Sequence, residues 1–308
     1  MKKTVVTGGA GFIGSHLAEE LSKRDYQLII LDNLSTGKRA NIAPLLDKKN
    51  VEFIRGSITD LPSLQKLFKN TDFIFHLAAI ASVPRSIDEP QLCHEVNVTG
   101  TLNVLIAARD NKVKKVVNAS SCAIYGDAPG LPKKEDMPIN PLSPYAVTKL
   151  AAENYCQIFQ KVYGLPSVSL RFFNIFGPRQ NPDSEYAAAI PKFIKIKSQG
   201  KKIHIYGDGK ATRDYIYVKD AVNAFILAAG SDASGIYNIG SGRSTTVNEL
   251  VNLINNLTGN NTPPVYSPPR PGDILHSLAD ISKARTFGYN PRYNIKQGLK
   301  ETIKYMTL

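Results

Sequence analysis

Thr7-Gly8-Gly9-Ala10-Gly11-Phe12-Ile13-Gly14 follows directly on an apolar run, Thr4 to Thr7, and opens a stretch in which Ile13, Leu17 and Leu21 recur at four-residue spacing. The run reads as a strand and the spacing as a helix with one apolar stripe, so the glycines occupy a strand-to-helix turn. In this GxxGxxG pattern, glycines 8 and 11 permit a tight turn and close approach of backbone to a pyrophosphate, and Gly14 lets the helix pack near the sheet. The amino end of the helix then faces the phosphates. Outward from the turn the alternation continues: Gln27 to Leu31, Val51 to Ile54, Phe73 to Leu77 and Val116 to Ala119 read as further strands, each buried on both faces. Strand, helix, strand with right-handed crossovers gives a doubly wound parallel α/β sheet, with ligands at the carboxyl ends of its strands.

Asp32 ends the second strand, 18 positions beyond Gly14. A carboxylate there accepts hydrogen bonds from adenosine ribose hydroxyls and repels a 2′-phosphate, which favours NAD over NADP. After Asn174 the pattern changes to short elements punctuated by proline: Gly177-Pro178, Asn181-Pro182, Pro263-Pro264, Pro268-Pro269 and Pro271-Gly272 mark loops. Tyr215 to Val218 and Ile236 to Ile239 read as core strands embedded between those loops, so the lobes interleave. Residues 1–173 and 212–240 are expected to form a Rossmann-type NAD-binding domain, and 174–211 with 241–308 a smaller α/β substrate-binding lobe. The asparagines at 255, 256, 260 and 261 read as a turn.

Tyr145-Ala146-Val147-Thr148-Lys149 sets a phenol and an ammonium four residues apart on one helical face. Ser143 suits the N-cap and Pro144 the first helical position. A phenol with its ordinary pKa of about 10 is a poor base at neutrality, and each unit of depression requires about 1.4 kcal/mol of preferential anion stabilisation. Lys149 and a positive nicotinamide ring are expected to supply it. The pair then removes a hydroxyl proton while hydride leaves the same carbon, so oxidation of an alcohol is the natural chemistry. Ser120-Ser121-Cys122 ends the fifth strand, and Ser121 is placed to meet the same substrate oxygen. Cys122 has no partnered histidine and reads as a small buried thiol.

Composition narrows the classes. The 308 residues carry a formal charge of +12, but lysines and arginines are scattered without an aromatic-interleaved stripe, which argues against nucleic acid. The most apolar segment, Phe73 to Val83, is interrupted and falls far short of the roughly 18 residues of a membrane span. Cys93, Cys122 and Cys156 show neither disulfide nor metal-ligand spacing, so no metal is expected and a reducing cytoplasmic setting fits.

Thr7 to Gly14, Asp32-Asn33-Leu34, His76-Leu77-Ala78-Ala79, Ser121, Tyr145 with Lys149, and Arg171-Phe172-Phe173-Asn174 together resemble the extended short-chain dehydrogenase/reductase family, almost end to end. Gly207-Asp208-Gly209, Thr212-Arg213-Asp214-Tyr215, Asn238-Ile239-Gly240 and Arg270-Pro271-Gly272-Asp273 are most similar to its branch of UDP-glucose and UDP-N-acetylglucosamine 4-epimerases. The resemblance implies Ser121, Tyr145 and Lys149 as catalytic residues. It also implies an NAD pocket of Gly8, Gly11, Phe12, Ile13, Gly14, Asp32, Asn33, Ile58, Leu77, Ala78, Ala79, Asn97, Tyr145, Lys149 and Phe173. For the UDP-sugar it implies Asn174 on the diphosphate, Arg213 and Arg270 neutralising it, Asp273 on the uridine ribose, and Ser82, Ser121 and Tyr145 around the sugar. Ser277 would be the hexose-pocket gate, small enough to admit an acetamido group.

The run from Gln180-Asn181-Pro182 to Tyr186-Ala187-Ala188 also resembles the branch that accepts N-acetylhexosamines. One departure is Gly56-Ser57-Ile58, where the family commonly has Asp after the glycine to bind adenine. Related dehydratases and decarboxylases carry acidic residues beside the catalytic hydroxyl, where this chain has Cys122 and Ala123. A UDP-glucuronate 4-epimerase, with Arg85 on the sugar carboxylate, stays open, as does an NAD-binding regulator without chemistry. Helices around Gln91 to Asp110 and Tyr145 to Tyr163 resemble the family's dimer interface, so a homodimer is expected.

Overall fold

The computed structural model describes residues 1–183, 188–269 and 274–307. Six strands, β1 (Lys2–Thr7), β2 (Tyr26–Asp32), β3 (Val51–Arg55), β4 (Phe73–His76), β5 (Lys115–Ser121) and β6 (Ser167–Phe172), join Gly235–Ile239 in one sheet. Its spatial order is Gly235–Ile239, β6, β5, β4, β1, β2, β3, and every pairing is parallel. The chain runs outward from β1 to β3 and then returns to β4 on the other side of β1. That reversal opens a crevice at the carboxyl ends of β1 and β4.

Neighbouring residues along a strand point to opposite faces, and both faces are covered. Ile30 and Phe75 pack with Leu17, Phe172 and Phe225 on one side. Ile29 and Ile74 pack with Val104, Leu105 and Phe159 on the other. The covering helices include α1 (Phe12–Leu21), α2 (Leu61–Leu67), α3 (Val83–Asp88), α4 (Pro90–His94), α5 (Gly100–Asp110) and α6 (Pro144–Tyr163). A further cluster, with Phe176, Ile194, Tyr217, Leu250 and Leu299, joins the later segments into the smaller part of the molecule.

Three expectations need correction. β3 is not buried on both faces: it lies at the sheet edge, and Glu52 and Arg55 are exposed. Tyr215–Tyr217 pairs with Asn174–Phe176 outside the main sheet, and Val218 already begins the helix Val218–Ala229. Asn255 and Asn256 are helical, because the reciprocal Thr246–Glu249 cap and the buried face of Leu250, Val251 and Ile254 carry the helix Val247–Thr258 through them to Gly259. Asn260 and Asn261 do lie in a turn, closed by the Asn260 side chain accepting the Thr262 N–H.

β6 lacks the apolar run that marks its neighbours. All six of its residues are buried, yet Ser167, Ser169 and Arg171 are polar. They are satisfied by Cys156, Asn118 and Glu153, partners remote in sequence.

Candidate active site

Gly8 sits at φ +68°, and a Cβ there would stand 2.7 Å from the Ala78 nitrogen. A Cβ on Gly14 would stand 2.1 Å from the Gly8 carbonyl oxygen. Both positions therefore require glycine, and the turn lies tightly against the segment after β4. Thr7 Oγ1 fastens that segment by accepting the Leu77 and Ala78 N–H groups, each at 3.2 Å. The same oxygen is hydrogen-bonded to His76 Nδ1 at 2.8 Å, and His76 Nε2 to Thr101 Oγ1 at 2.9 Å. Thr101 spends its own proton on the Asn97 carbonyl, so Nε2 carries the ring's proton and Nδ1 accepts from Thr7. Burial, reinforced by Lys149, pushes this imidazole down to about 3 and keeps it neutral.

No side chain caps the start of α1 and no carboxylate lies in its first turn, which leaves its N–H groups to an anion. Asp32 is buried, and its carboxylate accepts the N–H groups of Ala10 (2.9 Å) and Leu34 (2.8 Å). It thereby couples the end of β2 to the glycine turn while still facing the cleft.

The cleft itself is a cavity of about 790 Å³. Gly8, Gly11, Phe12, Ile13, Gly14, Asp32, Asn33, Ile58, Leu77, Ala78, Ala79 and Phe173 all line it, together with Ser82, Ser121, Tyr145 and Lys149. An elongated wall of close-approach glycines, an uncapped helix start and a buried carboxylate suits NAD. Ser57 also lines the cavity, its hydroxyl engaged with Thr59 at 2.8 Å. Asn97 stands behind the wall instead: its amide holds both the N–H and the carbonyl of Ile80 and the Thr148 hydroxyl, so it shapes the lining from outside.

The catalytic candidates converge where β5 meets α6. Ser143 caps α6 by accepting the Ala146 N–H (3.2 Å), with Pro144 at the first position. Ser121 ends β5, and its hydroxyl accepts the Ala123 N–H at 3.1 Å. The Tyr145 phenol lies beside Ser121, but burial outweighs that neighbour and pushes it up to about 12. Lys149 donates to the Ala119 carbonyl at 2.8 Å, its Nζ lies 5.9 Å from the centre of the Tyr145 ring, and burial pulls it down to about 8. The Lys149 ammonium is turned to a backbone oxygen and is itself poorly solvated.

The candidates for the sugar nucleotide lie beyond this junction. Asn174 donates to the Asp214 carbonyl at 3.2 Å, and Arg213 to the carbonyls of Thr212 (2.9 Å) and Leu275 (3.2 Å). Ser277 bonds back to Thr212 through its N–H, and its side chain lies beside the Cys122 thiol. Residue 277 is therefore one side chain removed from Ser121. The Cys122 thiol is pushed up to about 12, chiefly by burial, which agrees with its reading as no nucleophile. Arg270 and Asp273 fall outside the described residues, as do residues 184–187. Among the described residues no group of histidine, cysteine and carboxylate side chains could hold a metal, and no helix is long and apolar enough to cross a membrane.

The Thr7–His76–Thr101 relay has no local spacing to announce it, although His76 itself opens the stretch His76-Leu77-Ala78-Ala79. Tyr125 carries no spacing signal, whereas Glu153 could have been found from its place four residues beyond Lys149 on the same helical face.

Residues 4–240 match the model of the NAD dependent epimerase/dehydratase family. A UDP-glucose 4-epimerase of Mycolicibacterium smegmatis is 39% identical over 308 residues, covering 98% of each chain. Among solved structures, the UDP-N-acetylglucosamine 4-epimerase from Methanobrevibacter ruminantium M1, in complex with UDP-N-acetylmuramic acid, superposes with a TM-score of 0.96 at 44% identity, covering 99% of this chain and 98% of that one. The UDP-glucose 4-epimerase of Thermotoga maritima with UDP-glucose gives a TM-score of 0.94 at 39% identity, over 99% and 98% of the two chains.

Proposed function

The chain belongs to the NAD dependent epimerase/dehydratase family, and from that premise we propose that it is a UDP-hexose 4-epimerase acting on UDP-glucose/UDP-galactose and on UDP-GlcNAc/UDP-GalNAc. The observation that carries the reading is the convergence of Ser121, Tyr145 and Lys149 on one end of the glycine-walled cleft. When bound, NAD supplies a reversible acceptor for the two electrons of an alcohol oxidation. The residues of the chain do the rest. Ser121 holds the sugar O4, Tyr145 takes the O4 proton, and the same phenol returns it once the 4-keto sugar has turned about its diphosphate linkage to present its other face. Asn174, Arg213, Arg270 and Asp273 anchor the UDP moiety through that rotation.

With burial holding the phenol at about 12, Tyr145 rests as a proton donor, and its service as a base depends on positive charge beside it in the loaded site. Ser277, in the gate position that the resemblance implies, is small enough to admit an acetamido group. Arg85, the guanidinium a uronate would need, lines the cleft and is paired with Glu89 at 2.6 Å, a half-exposed pair that a uronate would have to displace. Proton NMR of the protein mixed separately with UDP-glucose, UDP-GlcNAc and UDP-glucuronate tests the assignment. Turnover of the first two is expected, and turnover of UDP-glucuronate alone would overturn it.

Residues 1–173 and 212–240 serve the cofactor in this reading, and 174–211 with 241–308 the sugar nucleotide. The outer face of α6 exposes Val147, Ile158 and Val162 beside Leu92 of α4, an apolar stripe that suits a homodimer. Sedimentation velocity should therefore show twice the chain mass. Three unpaired thiols agree with a reducing, cytoplasmic setting.

A further inference from the structure

Tyr145, Lys149 and Glu153 lie four residues apart on one face of α6, and each meets a different residue at the end of β5. The Tyr145 phenol meets Ser121, Lys149 Nζ donates to the Ala119 carbonyl at 2.8 Å, and Glu153 Oε1 accepts from the Ser120 hydroxyl at 2.6 Å. The first two contacts belong to the acid–base pair. The third has no part in the chemistry described above, yet Glu153 is wholly buried, at 0% exposure.

Its remaining capacity is taken by Arg171 of β6, whose Nε donates to Oε1 at 2.9 Å and Nη2 to Oε2 at 2.8 Å. Arg171 Nη1 in turn donates to the Tyr125 hydroxyl at 2.9 Å. That hydroxyl donates to Asn238 Oδ1 at 2.8 Å, on the strand beyond β6. One carboxylate thus fastens α6 to β5 and β6 and, through Arg171 and Tyr125, to the sheet's outer strand. A pair so deeply desolvated contributes little net stability compared with apolar residues of the same shape. Its place in the fold is better explained by what it aligns.

We propose that Glu153 is a positioning residue for the acid–base pair: by locking the turn of α6 below Lys149 onto Ser120 and Arg171, it sets Tyr145 in register with Ser121. The inference rests on reading Tyr145 and Lys149 as that pair. Displacement of a reacting group by about 1 Å costs on the order of 10²-fold in rate. The carboxylate also stands one turn from the Lys149 ammonium, whose other ionisable neighbours are Cys93 of α4, Cys156 of α6, His76 of β4 and Tyr145.

The test compares steady-state kinetics, NAD content and melting of the holoenzyme carrying Glu153→Gln, Glu153→Asp or the apolar double substitution Glu153→Met with Arg171→Met. Glu153→Gln should lower kcat by about 10²-fold with KM for the UDP-hexose changed less than about threefold. It should also move the alkaline limb of the kcat profile to lower pH, because Lys149 loses a favourable charge. Glu153→Asp should recover part of kcat. The double variant, free of unpaired buried charge, should melt near the wild type yet keep the low kcat. Recovery of both melting and kcat in the double variant would reduce Glu153 to a structural role and overturn the proposal, as would wild-type kcat and pH profile in Glu153→Gln. A wild type without 4-epimerase turnover would instead overturn the underlying reading of the site, and the positioning role with it.

Discussion

From Thr7 to Ala78 the cleft is held by contacts that converge on backbone: Thr7 Oγ1 on two N–H groups, Asp32 on two more, and glycines where any Cβ would collide. From Asn174 to Ser277 it is assembled from segments far apart in sequence, with Asn174 and Arg213 spending their donors on neighbouring carbonyls and Ser277 reaching the catalytic strand through Cys122. In the proposed reading the half for the cofactor is the fixed one, closed by backbone at Gly8 and Gly14, and the half for the sugar nucleotide the adjustable one, closed by side chains. That difference suits an enzyme that keeps its cofactor in place while its substrate must turn over within the site.

The largest effect expected is at the junction of the halves. Tyr145→Phe should lower kcat at least about 10³-fold, within the range for a lost acid–base group, with NAD content unchanged by absorbance of the denatured extract. Loss of NAD from this variant would mean that the phenol belongs to the binding wall more than to the chemistry. Next, Gly14→Ala, whose Cβ would meet the Gly8 oxygen at 2.1 Å, should destabilise the protein by about 1–3 kcal/mol and strip it of NAD. A variant melting like the wild type with full NAD would show that the fixed half is more yielding than its geometry implies. In the adjustable half, Ser277→Tyr should cost the acetylated pair about tenfold in kcat/KM, about 1.4 kcal/mol, while sparing UDP-glucose. Equal losses on both pairs would remove residue 277 from the sugar pocket.

Acid should act gradually, through two histidine rings, and not at a single residue. His76 behind the glycine turn is pushed down from 6.5 to about 3, and His16, which bonds the Pro178 carbonyl at 2.9 Å, to about 4, both chiefly by burial. As pH falls, the unfolded chain takes up these protons before the folded one. Their stabilisation is therefore complete above 6.5 and is lost on the way down to about 4 and about 3, at about 1.4 kcal/mol per pH unit and ring. Melting temperatures between pH 7 and pH 4 check this, and a flat profile would mean that both rings reach solvent.

The same division explains what could be read in advance. The turn from Thr7 to Gly14, Asp32 and the Tyr145–Lys149 face are local spacings, and local geometry dictates them. β6 escaped because its polar residues are satisfied by Cys156, Asn118 and Glu153, which no window around Ser167 contains. Asn97 was expected on the cleft, but nothing local announces that Ile80 and Thr148 take up its amide. Asn255 and Asn256 read as turn residues by propensity, and a cap nine residues upstream together with an apolar face overrode that preference.

In the proposed reaction Tyr145 manages the proton while the C4 hydrogen leaves the sugar and comes back to the same carbon. A UDP-hexose deuterated at C4, followed by NMR through conversion in ordinary water, tests it directly. The epimerised product should keep its deuterium at C4. Wash-out of the label into solvent during epimerisation would contradict it.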